Sequence, residues 1–383
     1  MLKALEQDHL DDKARINLGS YYTDKNYVDV VWEMISPYLK DDSVILDNAC
    51  GYGNFFKHNS SHKQIGNDID ELAIKTARNN NNIEFYNTNA LFSINRKKYN
   101  INKNSHLCII GNPPYNDRTS IIKKHIKSNN IKIDEDIKTR DLGMSFLLSY
   151  NNLNADIVCV LHPLSYLIKP SNFNLLKQFT NKYKLLQAKI ISSCSFSKLS
   201  KSTAFPIIIG LYKKSKKPMN YDYINNFAFE VADGNSLKIN DFEDISCYLD
   251  KYPSKNKKLK KDDILFWTMR DINALKRNRT FVNQYSNNSI IIDKDKLEYY
   301  VYVDVFKSFS KHIPYYFGNC NVLIDNQLFL KYKKYFILEA LNRHQNLRKY
   351  FDKFDFSKTK LVDNAKQKIV EYFKQLLGSH YVS

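Results

Sequence analysis

Four short apolar runs, each closed by an acid or an amide, constrain this chain most. They are Val44-Ile45-Leu46-Asp47, Gln64-Ile65-Gly66-Asn67-Asp68, Ile83-Glu84-Phe85-Tyr86 leading into Asn87-Thr88-Asn89, and Leu107-Cys108-Ile109-Ile110 leading into Gly111-Asn112. Runs this short and this apolar read as buried strands. A helical pattern, Glu71–Asn79, separates the second from the third. Strands and helices in that order build an open α/β sheet, whose ligands bind beyond the carboxyl ends of the strands. All four polar closures fall on that edge. A helix capped by Thr23 or Asp24 comes before the first strand, with Tyr27/Val28, Val31, Met34/Ile35 and Tyr38/Leu39 on one face. Strands at Ile157–Leu161, Lys189–Ile191 and Pro206–Tyr212, and a helix at Asn172–Asn181, continue the series.

Two junctions on that edge carry chemistry. The first is Asp47-Asn48-Ala49-Cys50-Gly51-Tyr52-Gly53-Asn54-Phe55. Its glycines let backbone approach a ligand closely. There is no G-K-[ST], and a carboxylate at the strand end repels phosphate and attracts a cation. Asp68 follows about 20 residues on, the spacing at which an acid accepts from ribose hydroxyls. The second junction is Asn112-Pro113-Pro114-Tyr115. Two prolines fix their own φ angles and lack N–H donors, so the carbonyl before them keeps its lone pairs. Asn112 adds a side-chain oxygen. Two aimed acceptors suit a nitrogen that carries two N–H bonds, and Tyr115 offers a flat ring for a planar substrate.

The chain has 383 residues and a formal net charge of +18, which suits a polyanionic partner. Its start lacks a signal-peptide h-region, and no apolar run is long enough to span a bilayer. Six scattered cysteines include no C-x-x-C pair, which argues against a zinc knuckle and fits a reducing cytoplasm. Lys213-Lys214-Ser215-Lys216-Lys217-Pro218 reads as the end of a domain. A lysine-dense stretch, Lys251–Lys261, then leads to Trp267, Arg270, Lys276, Arg277 and Arg279. Residues 290–325 alternate in strand fashion, and two amphipathic helices, about 328–350 and 359–377, close the chain.

The glycine loop followed by Asn112-Pro113-Pro114-Tyr115 resembles the paired signatures of S-adenosylmethionine-dependent amino-group methyltransferases. With Gly19-Ser20-Tyr21-Tyr22-Thr23 ahead of both and a long C-terminal region behind, the order is similar to that of gamma-class DNA adenine-N6 methyltransferases of restriction–modification systems. The resemblance covers residues 18 to 212 or so and implies the following. The fold is a Rossmann-like seven-stranded methyltransferase sheet, mostly parallel with a final antiparallel strand, plus a C-terminal α+β target-recognition domain. The domains are 1–217 and 218–383. S-adenosylmethionine meets Tyr22, Thr23, Asp47, Ala49, Cys50, Gly51, Gly53, Asp68, Ile69 and Asn112, with Asn89 standing where the family usually has Asp. Asn112, Pro113, Pro114 and Tyr115 form the catalytic corner, and Phe196 is the second ring of a sandwich around an extruded base.

Double-stranded DNA would be held through Lys198, Lys201, Lys255, Lys257, Lys258, Arg270 and Arg277, with no metal and no membrane involved. A cognate restriction endonuclease would be a separate protein. The alternatives are an RNA adenine-N6 methyltransferase, which the basic charge fits equally, and a protein glutamine-N5 methyltransferase, which uses the same Asn-Pro-Pro-Tyr on an amide nitrogen. The glutamine enzymes resemble a compact catalytic domain behind a helical N-terminal one, and here the long basic region follows the motifs instead.

Overall fold

The computed structural model describes residues 23–57, 60–80, 83–115, 132–195, 204–351 and 360–383. Tyr22, Phe196, Lys198 and Lys201 lie outside them. The chain divides into two compact units between Leu237 and Lys238.

The first unit is an α/β layer structure. Helix α1 (Lys25–Ile35) leads into β1 (Val44–Asp47), β2 (Lys63–Asp68), α2 (Glu71–Asn80), β3 (Glu84–Asn87) and β4 (Leu107–Gly111). Helix α3 (Leu142–Asn152), β5 (Ile157–Pro163), β6 (Tyr183–Ser192), β7 (Pro206–Lys214), β8 (Phe229–Val231) and β9 (Ser236–Leu237) follow. Among the described residues these strands form one sheet in the order β3-β2-β1-β4-β5-β7-β6-β8-β9. The first five in that order pair in parallel, and β7 runs antiparallel to both β5 and β6. That is the seven-strand arrangement expected from the sequence, extended by two short strands.

The order reverses between β1 and β4, so a crevice opens beyond the carboxyl ends of those two strands. All four residues of β1 and all five of β4 are buried, which explains their unbroken apolar character. Helix α1 covers the sheet with Val28, Val31, Trp32 and Ile35. The Trp32 indole N–H donates to the Phe55 carbonyl at 2.7 Å and ties the end of the glycine loop to the helix.

The lysine-rich turn at 213–218 does not end this unit. Beyond it, the Tyr223 hydroxyl donates to the Leu185 carbonyl at 2.7 Å, and β8 pairs in parallel with β6. The helix expected at 172–181 is instead two short ones, Pro170–Leu175 and Lys177–Lys182.

In the second unit β11 (Leu265–Trp267) pairs antiparallel with β12 (Phe281–Val282) and β13 (Ser289–Ile291). Short strands β10 (Glu243–Asp244) and β14 (Leu323–Ile324) form a second ribbon. Three helices, α4 (Leu297–Ser308), α5 (Asn326–Arg343) and α6 (Lys360–Leu377), pack through aromatic side chains. Tyr302 stacks on Phe336, and the Tyr372 hydroxyl donates to that of Tyr302 at 3.0 Å. The strand-like alternation at 290–325 is therefore corrected at its centre: its ends fall in β13 and β14, but Leu297–Ser308 is helix α4. That helix is covered on nearly every side, with Tyr300 through Phe306 all buried, so no amphipathic period marks it. Its tyrosines and valines have high strand propensity, and packing overrides it. No helix among the described residues is long and apolar enough to cross a membrane.

Candidate active site

The glycine loop directs its N–H groups inward. Ala49 N–H donates to Asp47 Oδ1 (3.1 Å), Cys50 N–H to the Asn67 carbonyl (2.9 Å), and Gly51 N–H to Asp68 Oδ2 (2.8 Å). Gly53 N–H turns back to the Cys50 carbonyl at 2.8 Å. With these donors occupied, the loop presents carboxylates and carbonyls. It is an electronegative cradle for a cation, not a phosphate nest. The Cys50 side chain packs among Phe56, Ile74, Ala77 and Phe85, so any contact it makes with a ligand is through backbone.

Asp47 is the most perturbed acid of the site. Burial, with Asp68 nearby, pushes its carboxyl up to about 8 in spite of the Ala49 N–H bond. Its Oδ2 is buried without a hydrogen-bond partner among the described residues, as is the neighbouring Asn48 Nδ2. Gly111 closes the space in front of it. A Cβ on Gly111, whose φ is +136°, would lie 2.6 Å from Asp47 Oδ1. Only glycine lets β4 pass this close to the acid at the end of β1.

Asp68 holds the loop through Gly51 and the next helix through Asp70, whose N–H donates to Asp68 Oδ1 at 2.9 Å. Burial raises its carboxyl too. Ile69, next in sequence, is 55% exposed, an apolar surface beside an acid at the sheet edge. Asn89 is already engaged: its Oδ1 accepts from Leu91 N–H (2.9 Å) and its Nδ2 donates to the Lys132 carbonyl (2.7 Å). One lone pair of Oδ1 remains for a ligand.

The sequence alone assigns Asn67 no role. The structure buries it and makes it a clasp. Its Nδ2 donates to the Asn48 and Thr88 carbonyls (3.2 and 3.1 Å), and its Oδ1 accepts from Thr88 N–H and Oγ1 (3.1 and 2.7 Å). It joins the loops after β1 and β3. The only linear signal is a polar residue one place before the end of a buried strand.

At the second junction, Asn112 Nδ2 donates to Thr23 Oγ1 at 3.1 Å. Thr23 is buried, one residue ahead of Asp24, which caps α1 by accepting from Asn26 N–H. In this arrangement the Asn112 amide turns its Nδ2 to Thr23 and its Oδ1 away from it. Asn112 Oδ1 is buried with no hydrogen-bond partner among the described residues. Pro113 is buried, while Pro114 and Tyr115 are half-buried, the Tyr115 ring packing against the core that includes Cys108 and Ile110. The unpaired atoms of Asp47, Asn48 and Asn112 thus flank the crevice where β1 and β4 part. They offer acceptors for a cationic amino acid group and for a substrate amine, and one amide donor for a carboxylate. The set fits a zwitterionic sulfonium cofactor.

In the second unit, Lys255, Lys258, Arg270 and Arg277 are exposed, with no ion-pair partner among the described residues. Lys257 differs. Its Nζ lies 2.7 Å from Asp293 and 3.8 Å from Asp250, in a network that Lys296 completes. Its charge is therefore largely offset within the protein. No cluster of three or more His, Cys, Asp or Glu among the described residues is arranged to hold a metal ion.

Residues 8–172 match the family model described as N-6 DNA methylase. No curated protein matches the chain. Solved structures do. A Vibrio vulnificus protein provisionally described as the modification subunit of a type I restriction enzyme aligns at 16% identity and a TM-score of 0.38, over 56% of this chain and 47% of its own. A Listeria monocytogenes protein provisionally described as a class I S-adenosylmethionine-dependent methyltransferase aligns at 14% identity and a TM-score of 0.37, over 57% and 66%. A dimethyladenosine transferase from Plasmodium falciparum aligns at 16% identity and a TM-score of 0.34, over 51% and 63%. This chain thus spans less than two thirds of each.

Proposed function

We propose that this chain, whose residues 8–172 match the N-6 DNA methylase family model, methylates the N6 amino group of adenine within a specific double-stranded DNA sequence, as the modification enzyme of a restriction–modification system. The observation that carries this reading is the Asn112 amide. One end donates to Thr23, and the other end is a buried oxygen with no donor among the described residues. Leaving such an atom unsatisfied costs about 1–3 kcal/mol, which a substrate N–H would recover.

An adenine amino nitrogen is a poor nucleophile because its lone pair is delocalised into the ring. Asn112 Oδ1 and the carbonyl of Asn112 or Pro113 accept its two N–H bonds. The nitrogen then pyramidalises, and its lone pair points out of the ring plane. Bound S-adenosylmethionine supplies an electrophilic methyl group on a sulfonium. Asp47 and the inward-turned loop favour a cation in the crevice, and Asp68 accepts from a ribose diol. Pro113 and Pro114 keep the acceptors from swinging away, so positioning and electrostatics provide the acceleration. The aminium formed is acidic and loses its proton to water, so no strong base is required before attack. Because a duplex hides this nitrogen, the base is extruded. Tyr115 supplies one stacking face and Phe196 the other, at about 1–3 kcal/mol per stacked base. The exposed basic residues of the second unit hold the duplex backbone.

The test is transfer of tritiated methyl from S-adenosylmethionine, by the purified full-length chain, to unmethylated genomic DNA, to total RNA and to protein, followed by digestion to nucleosides. The reading expects label in N6-methyladenine from duplex DNA. Label confined to RNA or to glutamine would overturn it.

A further inference from the structure

The first turn of α3 lies directly behind Tyr115, and its fit there is unusually close. A Cβ on Gly143 would lie 2.9 Å from Tyr115 Cβ, 3.3 Å from Tyr115 Cα and 2.6 Å from the Tyr166 hydroxyl oxygen. Gly143 therefore marks a point where three segments meet: the catalytic corner, the start of α3, and the short helix Ser165–Ile168 that follows β5. The same point is locked from the other side. Asp141 Oδ1 caps α3 by accepting from Gly143 N–H at 3.0 Å, and it also accepts from the Tyr166 hydroxyl. Tyr166 is buried and lies flat on His162, with ring centroids 5.4 Å apart and planes 8° apart. His162 is held in turn, with Nε2 2.6 Å from the Tyr212 hydroxyl and Nδ1 3.0 Å from the Pro163 carbonyl. A continuous set of contacts thus runs from the core of the sheet, β5 and β7, through His162 and Tyr166 to the backbone of Tyr115.

We propose that Asp141, Gly143 and Tyr166 are positioning residues that set the place of the Tyr115 ring, and through it the fit of the target base. The proposal rests on the reading of Tyr115 as the ring that meets that base. The physical argument concerns where Tyr115 is held. The placement of its ring depends on what supports Cα and Cβ. Gly143 supports them at van der Waals contact with no side chain between. Any Cβ there must push the tyrosine forward or displace the Tyr166 hydroxyl from Asp141. Neither movement touches Asp47, Asp68 or the glycine loop, so cofactor binding is separable from base placement.

The experiment is a double-mutant cycle on methyl transfer to unmethylated DNA, with S-adenosylmethionine affinity measured by calorimetry. Gly143→Ala is expected to lower kcat/KM for DNA by about 10- to 100-fold, the cost of a misplacement approaching 1 Å, with cofactor affinity unchanged. Asp141→Ala removes the acceptor that Gly143 N–H and the Tyr166 hydroxyl share and is expected to lower kcat/KM as well, and Tyr166→Phe to lower it by less than Gly143→Ala. In a Tyr115→Ala background, Gly143→Ala should cost nothing further, because the ring it displaces is gone. Equal loss in both backgrounds, or a parallel loss of cofactor affinity, overturns the proposal. If Gly143→Ala does not fold, Tyr166→Phe takes its place in the same cycle, with the same expected non-additivity. A wild-type chain that methylates RNA instead of DNA would undo the functional reading, and the cycle run on RNA would still decide the positioning claim.

Discussion

At the scale of single residues, the site is defined by polar atoms left without partners. Buried side-chain oxygens are normally bonded, and the proposed site is built on two, Asp47 Oδ2 and Asn112 Oδ1, that have no partner among the described residues and share one sheet edge. Asp47 gives this a pH dependence. Burial pushes its carboxyl up to about 8, whereas in the unfolded chain it ionises near 3.8. The folded, ligand-free protein therefore holds this proton between about pH 4 and pH 8, and the unfolded chain does not. The stability Asp47 contributes is fully present below pH 4 and is lost as pH rises through 8. A cationic ligand favours the ionised carboxylate and must displace the proton. Affinity for S-adenosylmethionine should then rise up to ~10-fold per pH unit from pH 6, level off above pH 8, and be accompanied by proton release. Calorimetry in two buffers of different ionisation enthalpy measures both. Affinity flat from pH 6 to 8 in wild type would remove Asp47 from the cofactor site.

At the scale of elements, the site depends on how neighbouring loops are joined. Asn67 ties the loop after β1 to the loop after β3 with four hydrogen bonds. Asn67→Ala should lower stability by ~1–3 kcal/mol, since it leaves buried backbone groups unpaired, and should weaken cofactor binding with Asn112 untouched. Denaturant melts with and without S-adenosylmethionine test this; a smaller stabilisation by the cofactor is expected. An unchanged increment would mean that the clasp does not shape the cofactor loop. This is also where the sequence stops being informative. Asp47, Asp68 and the Asn112 corner could be found because each ends an apolar strand at a recognisable spacing. Asn67 and Gly143 could not, because their importance lies in what approaches them from segments far along the chain. Helix α4 was hidden for a related reason: a helix buried all round has no polar face to set its period, and its Tyr and Val side chains imitate a strand.

At the scale of the whole molecule, the excess of positive charge matters only where it is not already paired. Lys257 is engaged with Asp293 and Asp250, whereas Arg270 and Arg277 are exposed and have no ion-pair partner among the described residues. Replacing Arg270 and Arg277 with Gln should weaken DNA binding and flatten its salt dependence, by ~0.9 in log–log slope for each phosphate no longer neutralised. Lys257→Gln should leave that slope unchanged and lower only stability. Fluorescence anisotropy across a salt series separates the two; equal slopes for the double arginine variant and wild type would place the duplex elsewhere. The central claim concerns the paired acceptors beside Pro113 and Pro114, and one comparison tests it most directly. Wild type and Asn112→Ala are each expressed in a host free of DNA methylation, and the modified bases are sequenced. The account predicts N6-methyladenine in one recurring sequence for wild type and none for Asn112→Ala, while the purified variant still binds S-adenosylmethionine. Methylation by the variant at a rate near wild type would contradict it.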